Sequence, residues 1–160
     1  MNIFDNIRYT FKQGNSLIQL IYINVAVYVL LNLILILMLL FNQSGSFILS
    51  YLAVPANLKE LLYHVWTPLT YMFLHESFLH ILFNMLALFW FGKIFLLYFS
   101  EKQLVGLYLF GGLLASFFFV TAFNLFPYYT PYLQQSILLG ASGSIMAMVM
   151  SLSVWLKPMT

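Results

Sequence analysis

Long apolar runs, interrupted at wide intervals by single polar residues, dominate the chain. From Leu17 to Phe41 only Gln19, Asn24 and Asn32 break 25 residues of otherwise apolar sequence, more than the roughly 20 needed to cross about 30 Å of hydrocarbon. This predicts a permanent membrane-spanning helix with some tilt. A cleavable signal peptide is the competing reading, but the apolar stretch is too long and no small-residue cleavage site follows Phe41. Further spans are predicted over about 76–98 and 103–126. A fourth begins at Ser142 and stops at Lys157 and Pro158, a span of about 142–157. The predicted fold class is all-α, a polytopic membrane helical bundle, with residues 1–16 as an N-terminal segment and 17–160 as the membrane domain.

The fourth span is short. Ser142 to Leu156 is 15 residues, which at about 1.5 Å each gives roughly 22 Å, less than the hydrocarbon thickness. The missing length is supplied either by an earlier helix start, against Gly140 and Gly143, or by irregular backbone entering the membrane before Ser142. The second is the expectation here. Such backbone is tolerated only where protein buries it or water reaches it, so Ser142 is expected to sit below the surface in a wet cavity. The loop 42–75 carries Phe47, Ile48, Leu49, Tyr51 and Leu52 in one half and Leu58, Leu61, Leu62 and Trp66 in the other. It is expected either to lie in the membrane interface or to form a small folded cap.

Composition narrows the classes further. Hydrophobic residues make up 63% and charged residues 6%, against about 25% charged in a water-soluble domain, so too few charges exist to clothe a water-facing surface. A net charge of +2 and the lack of cysteine exclude a nucleic-acid binder, a disordered chain and a disulfide scaffold. Cations near span ends collect on the cytoplasmic side. Arg8, Lys12, Lys93, Lys102 and Lys157 fall on one side and Lys59 alone on the other, which predicts a cytoplasmic amino terminus and an external loop 42–75.

Polar residues at the outer ends of two spans are not explained by composition. His75, Glu76, His80 and Asn84 cluster where span two opens, and ionisable groups are costly in lipid. His80 and Asn84 are four apart and share a helix face, which should point into the bundle. For Asn84 alone, interhelical hydrogen bonding is a sufficient explanation. His75 and Glu76 begin a run resembling the zinc motif HExxH, but His75 and His80 are five apart rather than four. With no carboxylate nearby other than Glu76, zinc is not expected. Gly140, Ala141, Ser142 and Gly143 open span four. This is not the soluble hydrolase elbow, which needs glycine where Ser144 stands. Gly143, Ala147 and Ser151 recur every four residues as a small-residue packing stripe, leaving Ser142 free to face a cavity. Spans two and four both enter from outside, so His80, Asn84 and Ser142 should share one membrane face. A serine beside two oxyanion donors in a wet pocket is a candidate for acyl transfer.

These residues resemble the rhomboid family of intramembrane serine proteases through two motifs in the right order. The first is His75-x4-His80-x3-Asn84 and the second is Gly-Ala-Ser142-Gly. Trp66, Gly92 and Lys93 are also similar to the family, and the resemblance covers about residues 17–157. It implies that Ser142 is the nucleophile, attacking a peptide bond in an exposed, unwound part of a substrate's transmembrane helix. His80 and Asn84, with the Ser142 amide, would hold the oxyanion. His75, Gly140 and Gly143 would support the site, and His64 receives no role. No metal, nucleotide or other cofactor is implied. The partners are transmembrane protein substrates and the lipid bilayer.

The sequence departs from the family pattern in one large respect. The family core has six spans with the general-base histidine on the sixth, whereas four spans are present here and no histidine follows His80. Serine needs an adjacent base, and His80 could not act as base and remain an unchanged oxyanion donor. The expectation is an amino-terminal portion of a protease whose general base is absent from these residues and which is inactive by itself and loosely packed. The alternative is a non-proteolytic rhomboid-like protein that binds transmembrane clients. Thr67 stands where the family often has Arg, and Leu96 and Leu97 where an acidic residue often follows span two. The expected location is the bacterial inner membrane, with the site opening to the external side.

Overall fold

A computed structural model describes residue 11 and residues 14–156. Arg8, Lys12 and Lys157, three of the cations behind the expected orientation, lie outside the described residues, as does most of the segment 1–16. Among the described residues three helices are long and apolar enough to cross a membrane, Ser16–Leu40 (α1), Phe78–Phe95 (α5) and Glu101–Leu125 (α6). A shorter apolar helix, Ser142–Trp155 (α7), packs with them.

Local capping sets the helix starts. The Asn15 side chain accepts from the Ile18 N–H at the head of α1. The Ser77 hydroxyl does the same for His80 N–H at the head of α5, which begins at Phe78 rather than near residue 76. His75 and Glu76 therefore precede the helix, and their relation to His80 is set by the turn instead of by helical angle. At the head of α6, Ser100 and Gln103 form a reciprocal capping box, so this helix starts before residue 103.

The chain between α1 and α5 is folded. It contains helices Ser46–Leu52 (α2), Leu58–Tyr63 (α3) and Thr67–Thr70 (α4), a two-residue strand Val54–Pro55 (β1) and a 3-10 turn Tyr71–Phe73. The Trp66 indole donates to the Tyr51 carbonyl at 2.8 Å, and the Thr70 hydroxyl donates to the Leu52 carbonyl at 2.6 Å. The rings of Tyr51, His64 and Trp66 pack together at the same corner, which is the place the structure gives His64. β1 pairs antiparallel with Ile137–Leu138 (β2), Val54 opposite Leu138, and the Ala56 N–H donates to the Ser136 carbonyl at 2.9 Å. The backbone before Ser142 is thus tied to the first loop.

The largest interface joins α6 to α7. It is close because both helices present small residues: a methyl on Gly111 would run into Ala147, and one on Gly143 would meet Ala115 at 2.5 Å. α5 packs on both α1 and α7, with Leu17 filling the space over Gly92 at one end. A buried polar link ties the bundle centre. The Asn24 amide donates to the Tyr108 hydroxyl at 3.2 Å, and that hydroxyl donates to the Met72 carbonyl at 3.1 Å. α1, α6 and the 3-10 turn are thereby joined with both polar side chains satisfied, as burial demands. On its outer side α1 exposes Val29, Leu30, Leu33, Leu39 and Leu40, a surface suited to lipid tails.

Candidate functional site

The site grows from the turn that precedes α7. Gly140 has φ +110°, backbone that side chains with a Cβ rarely adopt. Its N–H donates to the Tyr71 carbonyl at 2.9 Å, which swings the chain from β2 into the first turn of α7. A Cβ on Gly140 would lie 2.7 Å from His80 Nε2, 2.9 Å from its Cε1 and 3.8 Å from Asn84 Nδ2. Glycine is required here by φ and by space. The same contacts show His80 and Asn84 converging, four residues apart on one face of α5, upon the backbone two residues before Ser142. Asn84 is buried and His80 half-buried.

Ser142 is the first residue of α7. The preceding Ala141 supplies no side-chain cap, whereas α1, α3, α5 and α6 are all capped by Asn or Ser side chains. The first amide of α7 with an intrahelical partner is that of Ile145, which donates to Ala141. The N–H groups of Ser142 and Gly143 therefore precede the helical ladder, at the positive end of the helix dipole.

Ser142 is exposed, and so are Met146 and Met150, one and two turns further along α7. Among the described residues this face of α7 is open. A groove of about 450 Å³, lined by Leu58, Leu61, Leu113, Phe117 and Val120 among others, lies on the far side of α6 and does not include Ser142. Opposite the open face, α7 is buried: Ser144 is fully enclosed beside Gly112, and its hydroxyl has no partner.

His75 is also more enclosed than a rim position implies. It is 5% exposed, neither ring nitrogen has a hydrogen-bond partner, and its ring meets that of His80 edge to face with centroids 5.0 Å apart. Burial first, and the neighbouring His80 second, push its pKa down to about 4. The Phe73 carbonyl lies near enough to oppose this slightly without forming a hydrogen bond. His75 is neutral near pH 7 and buttresses the ring that faces Gly140.

Tyr71 carries no signal in the motif spacing, yet it is central. Its ring is 1% exposed and its hydroxyl donates to the Gly112 carbonyl at 2.7 Å. Burial raises its pKa to about 12, so it remains a donor across the physiological range. Only main-chain geometry reveals the role of its carbonyl toward Gly140. The arrangement as a whole places an exposed serine at an uncapped helix start, two residues after the turn on which an imidazole and a carboxamide converge. Such a group can bind a developing oxyanion.

A family model described as Rhomboid domain matches residues 63–158, more than half of the 160-residue chain. Comparisons with curated proteins and with solved structures give no match.

Proposed function

The chain belongs to the rhomboid family, and from that premise we propose that it is an intramembrane serine protease in which Ser142 attacks peptide bonds within transmembrane segments of membrane protein substrates. The observation that carries this reading is the convergence of His80 and Asn84 on Gly140, two residues before Ser142. In the proposed step the Ser142 oxygen adds to the scissile carbonyl carbon while a base takes its proton. Negative charge then develops on the carbonyl oxygen. The Ser142 N–H, the His80 imidazole and the Asn84 carboxamide are the donors assigned to that charge, and the dipole of α7 adds to them. Collapse of the tetrahedral adduct expels the amine, which takes up a proton, and water hydrolyses the acyl-enzyme.

Two of the three histidines have other surroundings. His64 Nδ1 pairs with the Glu60 carbonyl at 3.1 Å, and both nitrogens of His75 are buried without a partner. We assign the base to a histidine outside these 160 residues, standing against the face formed by Ser142, Met146 and Met150, and we expect these residues by themselves to be inactive. The proposed orientation puts the amino terminus in the cytoplasm of a bacterial cell and the site toward the external side.

The test is cleavage of a transmembrane reporter in membranes by the protein expressed from its complete reading frame. Cleavage lost in Ser142→Ala supports the reading, and cleavage that persists in Ser142→Ala rejects it. The exposed apolar stripe beyond Ser142 favours a second reading, capture of transmembrane clients without cleavage. That reading predicts co-purification of the reporter, uncut and unchanged by Ser142→Ala.

A further inference from the structure

Tyr71 touches both sides of the α6 and α7 seam from a third element. Its carbonyl, which also accepts from Leu74 N–H at 3.1 Å, holds the Gly140 N–H at 2.9 Å. Its hydroxyl holds the Gly112 carbonyl of α6 at 2.7 Å and lies 3.3 Å from where a Cβ on Gly143 would stand. Gly112 in turn abuts Ser144, since a Cβ on it would lie 2.7 Å from the Ser144 hydroxyl. The residues on either side of Ser142 are therefore held by one residue: Gly140 through the Tyr71 main chain and Gly143 through its hydroxyl, with Ser144 reached by way of Gly112.

We propose that Tyr71 is a positioning residue, a strut between the 3-10 turn and α6 that holds the Gly140 turn and so aims Ser142 at the His80 and Asn84 donors. The proposal rests on Ser142 being the nucleophile. Its physical content is that the hydroxyl bond anchors the turn to α6. The turn's carbonyl then has a fixed place from which to accept the Gly140 N–H. Without the hydroxyl, the ring remains but the turn can slide along α6, and the Gly140 bond lengthens or breaks intermittently. A misplacement of about 1 Å at a nucleophile can cost on the order of a hundredfold in rate.

A comparison with Tyr108 separates aiming from general stability. Tyr108 is likewise buried and donates to a backbone carbonyl of the same turn, that of Met72, at 3.1 Å, but it does not touch Gly140 or Gly143. Tyr71→Phe and Tyr108→Phe each remove one buried hydroxyl and should lower the detergent unfolding midpoint by similar amounts.

The experiment uses the protein expressed from its complete reading frame, with two readouts. Amide exchange by mass spectrometry over residues 138–141 reports the Gly140 bond whether or not the protein cleaves anything. Ser142-dependent cleavage of a transmembrane reporter reports the aim. Tyr71→Phe is expected to speed exchange in that segment about tenfold and to lower kcat about tenfold or more with KM changed less than twofold, while Tyr108→Phe does neither. Faster exchange in Tyr71→Phe alone, with no Ser142-dependent cleavage in any form, would support the strut while rejecting the protease reading. Unchanged exchange over 138–141 in Tyr71→Phe would overturn the strut. So would equal losses of kcat in the two tyrosine variants, because that would make the role merely structural.

Discussion

Gly140→Ala is the substitution for which the structure gives the most definite arithmetic. Two independent penalties meet at this position. The first is conformational: φ is +110°, and holding a residue with a Cβ in such a region costs about 1–3 kcal/mol. The second is steric: the new methyl would stand 2.7 Å from His80 Nε2 and 2.9 Å from Cε1. Forcing extra volume into a packed site costs about 1–3 kcal/mol. The imidazole can rotate or the turn can shift, so the two do not add in full, and a total of about 2–4 kcal/mol is expected. Whichever group yields, the relation between His80 and Ser142 is lost, so reactivity at Ser142 should fall about a hundredfold. The assay is denaturant unfolding in detergent together with the rate of Ser142 labelling by a fluorophosphonate. Gly106→Ala is the internal control, because nothing lies within 4 Å of its added methyl. It sits inside α6, where Ala replacing Gly should stabilise by up to about 1 kcal/mol. A Gly140→Ala protein as stable and as reactive as the parent would refute the geometry assigned to the turn.

Three other perturbations test separate parts of the account. Gly111→Ala should push α6 from α7, since its methyl would run into Ala147. A loss of about 1–3 kcal/mol is expected in the same unfolding assay. Asn24→Leu removes the bond to the Tyr108 hydroxyl but leaves that hydroxyl its Met72 acceptor. Polar contacts between membrane helices average about 0.6 kcal/mol and reach about 1.7, so a loss below about 2 kcal/mol is expected. For His75 the sign of the pH dependence follows from a folded-state pKa of about 4 against an unfolded 6.5. Below pH 6.5 the unfolded chain takes up the proton first. Stability fully present above 6.5 is therefore lost as pH falls toward 4 and then levels off. With the ring buried the loss would be on the order of 2–3 kcal/mol. Unfolding midpoints between pH 7.5 and 4.5 should show this decline in the parent and not in His75→Gln.

Much of the bundle was legible because length and apolarity alone identify membrane-crossing helices. The run starting at Leu17 needed no tertiary information, and the short apolar stretch after Ser142 is a helix that starts at that residue. Helix starts were placed a few residues off, although Ser77 beside Glu76 and the Ser100-x-x-Gln103 box are capping signals that the sequence carries. The motif spacing brought His80 and Asn84 together on one face, and the structure adds that this face meets Gly140. What spacing could not reveal were contacts made by the main chain: β1 against β2, Ala56 with Ser136, and Tyr71 with Gly140. Those depend on how the loop 42–75 folds back, which no local pattern in it encodes. The open face at Ser142 involves a different limit. A small-residue stripe on α7 shows which face packs, but not whether any element covers the opposite one.

Labelling of Ser142 by a fluorophosphonate probe tests the central claim most directly. The measurement is made in membranes on the protein expressed from its complete reading frame. The account predicts a covalent adduct mapped to Ser142 and absent in Ser142→Ala. Labelling should be slowed about 10²- to 10³-fold by His80→Ala or by Asn84→Ala, as the loss of one oxyanion donor requires. An adduct that persists in Ser142→Ala, or a folded protein that forms none, would contradict it.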